Sequence, residues 1–395
     1  MGRNGIFGWC LVLAGMAAAA AGEAGVAAGP YAKWTHGPAG GQDFFPIAVW
    51  LQSPAKARQY RAAGFNLYVG LWRGPTEEQL AQLQEADMRV ICHQTKVALQ
   101  HLDDPVLVGW MHGDEPDNAQ SLGEGQGYGP PILPEKIVAD YERIRAADPS
   151  RPILLNLGQA VAWDNWHGRG VRTRHPEDYP EYVKGCDIAS FDIYPVTHPS
   201  PEVAGKLWYV ARGVDRLRDW TQGRQIVWNC IECTRISSPQ SKPTPEQVRC
   251  EVWMALIHGS QGLIYFVHEW QPKFDESALL SDPVMLAAVT KINRQIGELA
   301  PALNSPAVAD LATVVAKDSL VDILVKQYGG ATYLFAVAMR ETPTRAVFTL
   351  RGRTGQQTVE VLGEDRTRAA KDGVFDDEFK PWDVHLYRLA AEPKP

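Results

Sequence analysis

Two carboxylates, Asp114 and Glu115, close the run Val106-Leu-Val-Gly-Trp-Met-His-Gly-Asp-Glu-Pro116. The run begins with β-branched and apolar residues, which read as a buried strand. It breaks at Gly113, and Pro116 can neither donate to a ladder nor leave Glu115 in right-handed helical geometry. An acidic pair at the mouth of a buried strand is costly unless the mouth opens on a polar site. A second strand-like run, Ile226-Val-Trp-Asn-Cys-Ile-Glu232, also ends on a carboxylate. Period-two alternation puts Trp228, Cys230 and Glu232 on one face of it. Two carboxyls facing one substrate can divide the work. The one kept protonated by burial or like charge donates, and the ionised one attacks or activates water. At a glycosidic bond, a separation of ~5–5.5 Å goes with retention and ~6.5–9.5 Å with inversion. A short acidic motif alone is a loose signal, and a strand end with solvated acids is its bland reading.

The elements that position these residues repeat strand, then helix. Strands are expected at 44–50, 66–71, 89–93, 106–112, 152–157, 188–194, 226–231 and 263–266. Helices are expected at 55–63, from Thr76, at 134–147, 202–220, 245–258 and 283–299, with a weak one at 97–102. Thr76, with Glu78 close behind, reads as a helix cap. Eight such units predict an α/β fold, a parallel (β/α)8 TIM barrel. The links support it: helix-to-strand turns are short, whereas strand-to-helix loops such as 113–133 and 158–180 are long. In this fold the long loops build the site at the C-terminal face. An open doubly wound sheet would carry a Gly-rich phosphate turn after its first strand, and Trp50-Leu-Gln-Ser-Pro54 is not one. From about Ser305 the period becomes that of short strands, which predicts a C-terminal all-β, sandwich-like accessory domain over 305–395 after a barrel over 29–304.

The strand ends then present a candidate constellation. Glu115 and Glu232 are the catalytic candidates, from strands four and seven on opposite sides of the ring. Candidates for substrate binding are Trp50, Trp72, His93, Asp114, Asn156, Asp192, Tyr194 and Trp270. Indole faces stack on the apolar faces of sugar rings, and Trp163 and Trp166 also fall beyond a strand end. A single Trp is more often core than platform, but several on one face shift that balance. Glu269, after the eighth strand, is a rival nucleophile. A non-catalytic carbohydrate-binding barrel would keep the Trp platforms and leave the carboxyls apart. A metal-dependent hydrolase is disfavoured: no His-x-His follows the first strand, and His93, His112 and His268 are scattered. No cofactor and no metal are expected.

Gly109-Trp-Met-His-Gly-Asp-Glu-Pro116 resembles the Gly-aromatic-x-x-x-Asn-Glu-Pro ending of strand four in clan A (β/α)8 retaining glycoside hydrolases. The resemblance implies that Glu115 is the acid/base and Glu232 the nucleophile, that Tyr194 hydrogen-bonds the nucleophile, and that Trp270 floors the sugar site. It implies a carbohydrate substrate cleaved by double displacement. Asp114 stands where the clan usually has Asn; it can accept from a sugar hydroxyl, and its charge can raise the pKa of Glu115.

Composition narrows the partners. The net charge of −7 argues against nucleic acid and anionic membrane surfaces. Residues 1–28 read as a secretory signal, with Arg3 before an uncharged apolar run from Ile6 to Ala20, so a secreted or periplasmic protein with no membrane contact after cleavage is expected. Five cysteines would remain, Cys92, Cys186, Cys230, Cys233 and Cys250, which read as packing residues with at most one disulfide.

Overall fold

The computed structural model describes Met1 and residues 29–390. The expected signal segment lies outside the described residues. Six parallel strands follow in order: β1 (Ile47–Trp50), β2 (Leu67–Val69), β3 (Arg89–Cys92), β4 (Leu107–Met111), β5 (Ile153–Leu157) and β6 (Ile188–Phe191). The seventh barrel strand is split at Trp228 into β7 (Ile226–Val227) and β8 (Asn229–Glu232), and β9 (Leu263–Phe266) is the eighth. β7 pairs with β6 and β8 with β9, while β9 pairs back to β1. The backbone changes partners at one step: the amide of Trp228 donates to Ala189 and that of Asn229 to Gly262. This closes the barrel.

Helices α1 (Ala57–Ala62), α2 (Glu77–Glu85), α3 (Pro134–Ala147), α4 (Tyr179–Tyr182), α5 (Trp208–Thr221), α6 (Pro245–Ile257) and α7 (Pro283–Leu303) follow the strands. Thr76 and Thr244 each close a capping box with the Gln three residues on, so Gln79, not Glu78, completes the first cap. The weak unit after strand three is a single turn of 3-10 helix, Ala98–Gln100. The helix expected from residue 202 begins only at Trp208, after a stretch of turns.

Apolar residues fill the barrel from alternate strand positions, among them Ala48, Leu67, Val69, Ile91, Val108, Leu154, Ile188, Cys230 and Ile264. Tyr31 plugs the lower end: its hydroxyl accepts from the Trp228 indole at 2.7 Å and donates to the Gln261 carbonyl. A second core lies between strands and helices.

The C-terminal part is an antiparallel sheet of eight strands: β10 (Ala312–Ala316), β11 (Val321–Tyr328), β12 (Ala331–Ala338), β13 (Thr344–Leu350), β14 (Gln356–Val361), β15 (Arg366–Lys371), β16 (Val374–Phe379) and β17 (Val384–Leu389). β15 and β16 share a single register pair, Lys371 with Val374, so the sheet folds there over one core, in a sandwich-like arrangement. β15 and β16 escape a sequence reading because Arg366-Thr-Arg and Asp376-Asp-Glu mask their alternation; only one residue in two is covered. Phe335, Val384 and Leu386 of this domain join the barrel's outer core, with Trp253 of α6 packed 5.2 Å from Phe335. The five cysteines are buried free thiols. Among the described residues no helix is long and apolar enough to cross a membrane.

Candidate active site

β4 delivers its acids through a strained residue. Glu115 has φ +42°, a left-handed conformation that a non-glycine side chain adopts at a cost of roughly 1–2 kcal/mol. Sequence reasoning places Glu115 before proline and hence in extended geometry; the fold overrides that preference. Three bonds hold the conformation. The Glu115 amide donates to the Asn156 carbonyl (3.2 Å), and its own carbonyl accepts from the Asn118 amide (3.0 Å) and from Gln120 Nε2 (3.3 Å).

Asn156, on β5, links the acids. Its Nδ2 donates to Asp114 Oδ1 and to Asp192 Oδ1, each at 2.9 Å. Its Oδ1 accepts from Ser190 Oγ at 2.7 Å, while the two carboxylate oxygens that Nδ2 faces set the amide orientation. The Tyr194 hydroxyl donates to Asp192 Oδ2 at 2.7 Å. Asn118 Nδ2 donates to Glu115 Oε2 at 2.8 Å, and the Trp166 indole donates to Asn118 Oδ1 at 2.9 Å. The fold thus assembles Asp114, Glu115, Asn156, Asp192 and Tyr194 into one cluster at the ends of strands four, five and six.

None of the three acids of this cluster has a cationic partner among the described residues, and their titration reflects it. Burial first, then the charges of Asp192, Asp114 and Asp117, raise Glu115 well above the usual carboxylate range. Asp114 presents surface to solvent, yet burial of its carboxyl and the neighbouring Asp192 push it up to about 7. Asp192 is raised by burial but pulled back by the Cys230 thiol, the Tyr194 hydroxyl and the Asn156 amide, all of which favour its charged form. All three acids are thus raised, Glu115 well above the ordinary carboxylate range.

Glu232 is placed elsewhere. It ends β8 as expected, but it is 0% exposed. Its Oε1 accepts from the Val196 amide (2.5 Å) and its Oε2 from the Thr197 amide (3.1 Å), both in the turn after Tyr194. Burial pushes it up to about 7, and Glu251 of α6, also fully buried, is the carboxyl beside it. Glu269 pairs its backbone with Asp275 and lies 3.7 Å from Arg235.

The aromatic candidates divide. Trp50 is turned into the barrel core by strand alternation and offers almost no open face. Trp72 is 66% exposed beside the Arg73 guanidinium, and His93 is exposed near the Met111 carbonyl; among the described residues neither bonds to the acids. Trp270 stands at the outer end of an aromatic series that begins in the acid cluster. Tyr194 lies 5.3 Å from Phe266, Phe266 5.0 Å from His268, and His268 is stacked 6.3 Å from Trp270. Trp270 and Phe274, 4.8 Å apart, are each half exposed. His112 is structural, bonded to Asp140 and the Gly185 carbonyl. Burial lowers His268 to about 4, so its ring is neutral.

Sequence reasoning misses Asp117, Asn118, Phe266 and Phe274. The first two follow Glu115 in the same run, Asp-Glu-Pro-Asp-Asn, which is the signal that could have drawn attention to them. Phe274 carries none, because a loop brings it back against Trp270.

The fold, though not the sequence, has solved counterparts. No family model matches the chain, and no curated protein matches it in sequence. Solved structures do match in fold. A catalytic mutant of Gan42B, a GH42 β-galactosidase from G. stearothermophilus, superposes with a TM-score of 0.56 at 9% identity, over 88% of this chain and 98% of that one. A variant of AmyP in complex with maltotriose gives 0.54 at 10% identity over 89% and 98%. A putative α-galactosidase from Bacteroides fragilis gives 0.52 at 11% identity over 89% and 80%. At these identities the likeness is one of fold: a (β/α)8 barrel with a C-terminal β domain.

Proposed function

We propose that this chain is a glycoside hydrolase acting on a poly- or oligosaccharide, with Glu115 as its proton donor. The observation that carries the reading is the cluster at strand ends four to six, where Asn156 bridges Asp114 and Asp192 beside Glu115, burial and the neighbouring acids raise Glu115, and no cation pairs with them among the described residues. A neutral carboxyl at neutral pH can protonate a glycosidic oxygen, and an ionised one can stabilise or attack the anomeric carbon. The solved neighbours supply an analogy of fold in the same direction. The half-exposed Trp270 and Phe274 offer apolar faces for sugar rings.

In the proposed retaining route Glu115 protonates the leaving oxygen, a carboxylate attacks the anomeric carbon, and Glu115 then takes a proton from water to release the sugar. Asp192 is the attacking group we favour, because it is half-buried rather than closed off and three donors favour its ionised form. Glu232, the partner that the sequence suggests, is the second reading: its oxygens hang on the Val196–Thr197 turn, so movement of that turn would uncover it. A secreted or periplasmic location is proposed from the N-terminal sequence.

Glu115→Gln should lower turnover of an oligosaccharide or alkyl glycoside by about a thousandfold or more while leaving the circular dichroism spectrum unchanged. Wild-type turnover in that variant would end the proposal. Asp192→Asn and Glu232→Gln, each rescued with azide, separate the two readings. Only removal of the true nucleophile yields a glycosyl azide of inverted configuration.

A further inference from the structure

The carboxyl of Glu115 touches the side chain of Asn118, whose other end is held by a loop from a different barrel unit. Trp166 Nε1 can only donate, so the oxygen it meets at 2.9 Å must be the Asn118 carbonyl. That fixes the amide: its Nδ2 faces Glu115 Oε2 at 2.8 Å and donates to it. The carbonyl oxygen of a neutral carboxylic acid is its better acceptor, and an N–H pointed at a protonated oxygen would crowd two hydrogens into one contact.

The surroundings leave little room for another arrangement. A Cβ at Gly158 would sit 2.7 Å from Asn118 Oδ1 and 2.8 Å from Nδ2, so the amide is packed against the start of the strand-five loop. A Cβ at Gly168 would fall 2.4 to 2.5 Å from three indole atoms of Trp166. The indole is further held by the Trp163 ring at 6.1 Å and the His167 ring at 4.6 Å. The two loops are joined directly, since the Ala119 amide donates to the Gly168 carbonyl at 2.8 Å.

We infer that Asn118 and Trp166 are positioning residues that leave Oε2 of Glu115 as an acceptor and so assign its transferable proton to Oε1. The inference rests on the reading of Glu115 as the acid. Around Glu115 stand Asp114 and Asp117 of its own loop, and Asp192 and Tyr194 from the strand-six end. Asp117 is itself bonded to the Tyr179 hydroxyl and the Gly158 amide, beside Arg169. Burial first, then the acids, push the Glu115 titration upward, and the Asn118 N–H pulls it down.

The test uses Trp166→Phe and Asn118→Ala in the full chain. With the indole donor gone, the amide can turn its carbonyl toward Glu115 and favour the neutral acid; with the amide gone, the N–H that favours the carboxylate is lost. Both variants should move the basic limb of kcat, and the 13C carboxyl titration of Glu115, to higher pH. kcat on an alkyl glycoside should fall about tenfold with KM changed by about twofold or less. The loss should be smaller on a nitrophenyl glycoside, whose leaving group departs without a proton. Unmoved titration in either variant, or a kcat loss indifferent to the leaving group, overturns the inference. Should Glu115→Gln turn over normally, the acid reading fails separately, and the carboxyl titration still reports whether the pair orients Glu115.

Discussion

Two regions of this molecule crowd carboxylates together, and they treat them in opposite ways. In the C-terminal domain Asp377 is buried between Arg366 and Arg368, at 2.7 and 2.6 Å, and accepts from the Tyr387 hydroxyl at 3.1 Å. Glu364 beside it is claimed by Arg366 and His385, at 2.7 and 2.6 Å. Burial works against the charge of Glu364, but His385 and Arg366 hold it below its ordinary range. At the barrel mouth Asp114, Glu115 and Asp192 have, among the described residues, only amides, a hydroxyl and a thiol to lean on, and all three are raised. Cations make an acid cluster into a fastener. Their absence leaves the carboxyls raised, at a cost in stability once the pH exceeds their ordinary range. A recess of about 860 Å³ opens beside the fastener, between α6, α7 and the β domain.

Breaking the fastener has the largest expected effect on folding. Asp377→Asn should cost about 2 kcal/mol, because it weakens contacts to two guanidiniums and a tyrosine. Chemical denaturation would show the loss, while activity per folded molecule at 25 °C stays at the wild-type level. A loss of activity without a loss of stability would break the contrast.

Relieving the barrel mouth should act with the opposite sign. A carboxyl whose folded pKa is raised contributes stability that is complete below its unfolded pKa and lost as pH rises through the folded one. For Asp114 that window runs from the ordinary carboxylate range to about 7. Asp114→Asn should therefore raise Tm at pH 8 by about 1–2 °C, leave it nearly unchanged at pH 4, and lower kcat. Equal shifts at both pH values would show that charge crowding is not the cause.

The smallest effect is expected at the edge of the site. Trp270→Ala should raise KM for an oligosaccharide by about five- to tenfold, the worth of one stacked ring, and change kcat and Tm little. No change in KM would remove Trp270 from the substrate path and leave the acid cluster without its proposed platform.

The apolar strand runs, the tight returns and the long outgoing loops made the barrel legible, because they are local signals that recur along the chain. The same reading found Asp114, Glu115, Asn156, Asp192 and Tyr194, each at or just beyond the apolar run of a barrel strand. It did not find β15 and β16, whose charged faces hide their alternation, nor the break at Trp228 where the seventh strand changes partners.

What the sequence determined by itself was the order of the barrel strands and that acids stand at their ends. Only the tertiary structure decided which acids meet. Strand position makes Glu232 look like the partner of Glu115, yet its carboxyl is turned to the Val196–Thr197 amides and Glu251. Asp192 reaches the shared amide of Asn156 instead. Alternation fixes which face of the ladder a side chain leaves; where its end comes to rest depends on the loops that close above it, and those are set by contacts distant in sequence.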